Sequence, residues 1–236
     1  MERVLNQLTQ KLQAAFKDRL VSVLLYGSGA AGDHHARYSD LNILCVLDRV
    51  GVAELKSAEP VFRWWREKGN PAPLLLSEQE VRTMTDCFAI EFHDIQARHR
   101  VLWGAEVVAP LTVDDSFYRA QVEHELRAKL LRLRQKAGGM MEDAALLRRL
   151  IADSVSTFCV LFRHALVLHG VDAGFSKREI VDRARQTFGM DPAPFEKLLD
   201  LREQRIKPRE VEPVRLLESY MASIQAVIDA VDGLQK

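Results

Sequence analysis

The chain has 236 residues, of which 47% are hydrophobic and 28% charged; that mixture builds a sizeable core and excludes a disordered, collagen-like or disulfide-scaffold protein. Lys+Arg and Asp+Glu both number 33, so no net charge draws the chain toward nucleic acid or an anionic membrane. The length is comfortable for two domains. Uninterrupted apolar runs are strand-sized, below the roughly 20 residues of a membrane span, so no membrane association is expected. The N-terminus, MERVLNQLTQKLQ, has no apolar leader core. Cys45, Cys87 and Cys159 all sit in apolar segments without metal-ligand spacing. They read as buried free thiols, and a cytoplasmic protein is expected.

In chain order, Val4, Leu5, Leu8, Leu12, Ala15 and Phe16 recur at helical spacing and predict a first helix. "LVSVLLYG" is a strand ending on Gly27, and "LNILCVLD" a second strand after Asp40. A helix over 52–68 follows, with Pro60 expected to kink or divide it. "APLLL" is a third strand, and Ser77 with Glu80 makes a capping box for a short helix. "FAIEFHDIQ" alternates and predicts a fourth strand, after which "HRVLWG" turns the chain out.

The signals change near "APLTVDDS". Residues 1–116 carry 13 basic and 16 acidic side chains against 20 and 17 in the rest, and a domain boundary is placed at 112/113. Beyond it Val122, Leu126, Leu130, Leu133 and Ala137 form a helical stripe closed by Gly138-Gly139. A long apolar helix spans 144–169, a capping box is read at Ser176 and Glu179, Asp191-Pro192 opens another helix, and a last helix covers 210–234. Residues 113–236 are thus expected to form an all-α helical bundle.

Gly27-x-Gly29-x-x-Gly32 directly after a strand matches a dinucleotide-binding fingerprint. That fold needs a crossover helix with an apolar face before the next strand. The residues in between, Asp33 to Asp40, offer only Ala36 and Tyr38, which cannot cover a sheet. The same stretch also reads as Gly27-Ser28, an eleven-residue loop, then Asp40-x-Asn42 opening a strand. This resembles the DNA polymerase β nucleotidyltransferase superfamily, whose pattern is Gly-Ser, a polar loop and Asp-x-Asp, with a further acid on a later strand. The resemblance implies an α/β (α+β) domain with a mixed sheet over 1–112, joined to a helical bundle of the kind found in kanamycin nucleotidyltransferase and minimal nucleotidyltransferase systems. It implies Asp40 and Glu91 as catalytic metal ligands, Asn42 as a neutral third ligand, and Gly27 and Ser28 as the phosphate turn. The implied cofactor is Mg²⁺, or Mn²⁺ in its place. The implied partners are a nucleoside triphosphate such as ATP and an acceptor bearing a hydroxyl.

The chemistry gives reasons for those residue types. Attack on an α-phosphorus needs the triphosphate charge neutralised, and two Mg²⁺ ions about 3.5–4 Å apart do this when carboxylates hold them. Residues i and i+2 of a strand share a face, so Asp40 and Asn42 are expected to project together, and Glu91 with His93 likewise. Asn42 is the departure from the pattern. An amide removes one of three formal charges, and it leaves two readings open: an enzyme transferring a nucleotidyl group, or a catalytically silent nucleotide- or partner-binding module of antitoxin or regulatory type.

Other features have plainer readings. His34 and His35 lie in the polar loop and could contact substrate or metal. The basic run 127–136 follows Glu123 and Glu125 at ion-pair spacing, so a solvated face is expected and nucleic acid is not. Arg119-x4-His124 and Arg163-x5-His169 resemble the short motif of HEPN-type ribonucleases. Trp64, Trp65 and Trp103 are expected to pack in the core or between domains. The sequence leaves the oligomeric state open, a homodimer included.

Overall fold

The computed structural model describes residues 1–30 and 41–234. These divide into two compact units, Met1–Tyr118 and Arg119 onward.

In the first unit the elements are α1 (Glu2–Phe16), β1 (Leu20–Tyr26), β2 (Asn42–Leu47), α2 (Val52–Glu67), β3 (Leu74–Ser77), α3 (Glu78–Thr83), α4 (Ala89–Ala97) and β4 (His99–Gly104). The strands form one sheet in the order β3-β2-β1-β4. β1 is antiparallel to both β2 and β4, and β2 is parallel to β3, so the sheet is mixed. Strand side chains alternate between two covered faces. Val23, Leu25, Ile43, Cys45 and Leu47 pack with Leu5, Leu8 and Leu12 of α1 and Val61 and Trp65 of α2. Leu24, Leu44 and Val46 pack on the other face with Val81 of α3 and Phe92 and Ile95 of α4. A sheet buried on both faces explains why β1 and β2 read as continuous apolar runs.

Five expectations are corrected here. The segment "FAIEFHDIQ" is the helix α4, not a strand. Ala89, Phe92 and Ile95 are buried at spacings of three while Phe88, which period two would bury, is 42% exposed. The place beside β1 is taken by β4, formed by the "HRVLWG" expected to leave the sheet. Pro60 neither divides nor ends α2. It sits on the exposed side of the helix, where water can serve the carbonyl left without an N–H, while Ala58, Val61 and Trp65 hold the buried stripe. Cys87 is exposed rather than buried, standing between α3 and α4 with its thiol on Asp86 Oδ1 at 3.1 Å; Cys45 and Cys159 are buried. Ser77 does close its capping box with Glu80, whereas Ser176 starts α7 with no side-chain cap bond.

The second unit holds α5 (Tyr118–Gly138), α6 (Ala144–Leu168), α7 (Lys177–Phe188), α8 (Ala193–Arg202) and α9 (Pro213–Asp232). Its centre is aromatic: Phe162 lies 4.9 Å from Phe195 and Phe195 4.7 Å from Tyr220, ring centre to ring centre. The Tyr220 hydroxyl is 3.0 Å from that of Ser154. α6 has 25 residues and a window of mean hydropathy 1.5, long and apolar enough to cross a membrane by those measures. Its buried residues Phe158 and Cys159 and the run 161–166 pack among the other helices, as the central helix of a bundle does.

Candidate functional site

The end of β1 organises the site. The strand register sets His99, Tyr26 and Asn42 side by side on β4, β1 and β2. Directly opposed antiparallel residues share a face, and this is the face that α4 covers. After Tyr26 the chain turns through Gly27, whose φ of 75° is left-handed backbone that glycine adopts without strain. A Cβ there would meet the Asn42 side-chain nitrogen at 3.4 Å, so the amide lies against the turn. The Gly27 N–H donates to the Arg98 carbonyl at 2.9 Å, and the Gly27 carbonyl accepts from Ala30 at 3.1 Å. The Gly27 N–H is therefore already taken, by the residue that precedes β4.

Glu91 lies in the first turn of α4, where a carboxylate is favoured by the helix dipole. Burial raises the Tyr26 phenol above its ordinary value, and the Glu91 charge raises it further. The N-terminus of α4 thus brings Glu91 near the end of β1 by a route other than the expected strand. Ser28 is part of the turn at Gly27–Gly29. Asp40, with His34 and His35, lies outside the described residues.

His93 does not point to a cleft with Glu91. Its Nε2 is 2.6 Å from Asp115 Oδ1 and its ring 4.8 Å from that of Tyr118, so it ties α4 to the segment that follows. His99 faces the Ile95 carbonyl through Nδ1 at 2.9 Å and Glu106 through Nε2 at 2.9 Å. Burial pulls the Glu106 carboxyl upward, but the N–H groups of Ala109 and Val108, together with His99, outweigh this and hold it below the ordinary range. Tyr26 and His99 were not singled out from the sequence. The available signal was their position beside the Gly27 turn, and for His99 it needed the register of a strand that the alternation had assigned elsewhere.

Among the described residues no three His, Cys, Asp or Glu side chains converge as a metal cage. Asn42 and Glu91 are both oxygen donors, a chemistry that suits a hard cation such as Mg²⁺. The motif residues on the helices are engaged elsewhere. Arg119 is bound to Glu123 at 2.9 Å, and the side chain of His124 is 74% exposed. Arg163 is 3.0 Å from His164 and stacks on Phe175, while His169 bonds Ala165.

No family model matches the chain, and no curated protein matches it in sequence. The fold is nucleotidyltransferase-like, with a helical C-terminal region. It is similar over 98% of this chain and 99% of the other to spectinomycin adenyltransferase AAD(9) from Enterococcus faecialis, solved with ATP and spectinomycin, at TM-score 0.57 and 12% identity. A toxin-antitoxin structure with AMP-PNP aligns over 58% of this chain and 95% of the other at TM-score 0.31 and 15% identity, a likeness too low to carry an argument.

Proposed function

We propose that the protein is a nucleotidyltransferase that takes a nucleoside triphosphate, ATP among them, and passes its nucleotidyl group to a hydroxyl of an acceptor. The acceptor oxygen would bond to the α-phosphorus while the bond to the β-phosphate breaks and pyrophosphate leaves. What supports this reading is the Gly27 turn with the Asn42 amide against it, beside a Tyr26 whose phenol feels the Glu91 charge, at one end of the sheet of a nucleotidyltransferase-like fold. Since the Gly27 N–H is taken by Arg98, phosphate contacts fall to the backbone of Ser28 and Gly29, with the missing Gly27 side chain leaving room for approach. Asp40, Glu91 and the Asn42 amide oxygen are the residues that would hold Mg²⁺, or Mn²⁺; its role is to neutralise the triphosphate. In this reading residues 1–112 form the nucleotide-handling domain, and free thiols at Cys45, Cys87 and Cys159 fit a cytoplasmic setting.

Asn42 favours a second reading, a silent module that binds the nucleotide or a protein partner without transfer. Titration with a non-hydrolysable triphosphate, with and without Mg²⁺, separates the two. Metal-dependent binding is expected for the enzyme and metal-independent binding for the silent module. Gly27→Val should abolish binding in either case, because valine is strained at that φ and fills the approach. Unchanged affinity in that variant overturns the site.

A further inference from the structure

The last two turns of α5 carry a basic groove that the proposed transfer reaction does not use. Upstream, the cations of α5 are paired along the helix: Arg119 and Arg127 with Glu123, and Lys129 with Glu125 at 3.0 Å. Downstream the pattern stops. Residues 130–139 contain Arg132, Arg134 and Lys136 and no acid, and neither Arg132 nor Lys136 has an ion-pair partner among the described residues. Both line a cavity of about 230 Å³ against α6, together with Lys129. The α6 wall supplies the hydroxyl of Thr157, while that of Ser154 is already given to the Ile151 carbonyl at 2.8 Å and meets Tyr220 at 3.0 Å; Phe158 belongs to the apolar part of the lining. Asp153 also lines it, but its carboxylate is drawn to Arg149 at 3.6 Å.

Complementing the helix dipole explains a cation in the final turn. It does not explain two unpaired cations three and seven residues beyond Lys129, which places all three on one stripe facing the Thr157 hydroxyl. Cations and a hydroxyl around a small cavity are the donor set for a phosphate group, whose oxygens accept charge-assisted bonds. We infer that the groove between α5 and α6 binds a small phosphomonoester, with the phosphate held by Arg132 and Lys136 and the organic part resting on the Phe158 side. The cavity is too small for a helical polyanion to enter, and the neutral chain offers no broad basic surface for one.

The test is calorimetry on the full chain with ribose 5-phosphate, inorganic phosphate and a 20-nucleotide RNA at two salt concentrations. Saturable binding of either small anion, weakening with salt, is expected. The paired change Arg132→Gln with Lys136→Gln should weaken it about tenfold or more, and Thr157→Val should weaken it by a smaller factor. Both cations are exposed, and thermal melts check that the variants fold. Gly27→Val should leave this binding intact, which keeps the groove distinct from the triphosphate site. Tighter binding of the ester than of free phosphate supports an organic ligand, and equal binding supports phosphate itself. Absence of saturable small-anion binding, binding of RNA alone, or affinity unchanged in the paired variant overturns the proposal.

Discussion

Tyr26 reports on the candidate site at the scale of single groups. Burial raises its phenol above the ordinary 10.0, and the Glu91 charge adds to the rise. A folded pKa above the unfolded one means that the stability linked to Tyr26 is complete below pH 10 and is lost as pH climbs through the folded value. Glu91→Gln removes the second cause and should move the phenol down toward its ordinary range. The measurement is the ultraviolet tyrosinate signal of wild type minus that of Tyr26→Phe, repeated in the Glu91→Gln background. An unmoved titration would place Glu91 away from Tyr26. The Gly-Ser turn and Asn42 were legible as residues because their types and spacing carry chemistry. The partnership of Tyr26 with Glu91 was not, since it depends on α4 meeting β1 sixty-five residues away in sequence.

At the scale of elements, β4 ends at a glycine with no freedom to change. Gly104 has φ 84°, and a Cβ there would lie 2.1 Å from the Val21 carbonyl oxygen. Gly69 has nearly the same φ, 85°, but nothing within 4 Å. Gly69→Ala should therefore cost only the left-handed strain, about 1–2 kcal/mol. Gly104→Ala adds a backbone collision that β4 can relieve only by leaving β1, and should cost at least about 3 kcal/mol. Urea melts of the two variants compare them directly, and equal losses would refute the packing argument. Helices α1, α5 and α6 were readable from apolar residues at helical spacing, and strands β1 and β2 from short β-branched apolar runs bounded by turn residues. Nine residues around Glu91 were not, because Phe88, Ile90 and Phe92 fit period two as well as Ala89, Phe92 and Ile95 fit the helix. Only the competition for the edge of β1 decides between them, and that is a tertiary fact. Pro60 misled for a related reason: its cost depends on which side of α2 faces water.

At the scale of the whole molecule, the sequence motif and the stability of the fold can be joined through metal binding. A ligand that binds only the native state stabilises it by RT ln(1+[L]/Kd), about 2.7 kcal/mol when the ligand stands at 100 times Kd. If Asp40, Asn42 and Glu91 form one donor set, Mg²⁺ or Mn²⁺ should raise the melting temperature of the wild type slightly. Asn42→Asp restores a third negative charge beside the Gly27 turn and should enlarge that shift. The same carboxylate should lower stability without metal, because like charges gathered at one point repel. Glu91→Gln should remove most of the metal-induced shift. Without metal it should cost at least the favourable placement of an acid in the first turn of α4, about 0.5 kcal/mol. The effect of Asn42→Asp thus changes sign between the metal-free and the metal-loaded protein, which a nonspecific loss of structure cannot mimic. A melt in which Asn42→Asp gains nothing from Mg²⁺ would separate Asn42 from any metal. A large loss in Glu91→Gln without metal, with its Mg²⁺ shift retained, would make Glu91 a structural partner of the fold and leave the transfer chemistry without its second carboxylate.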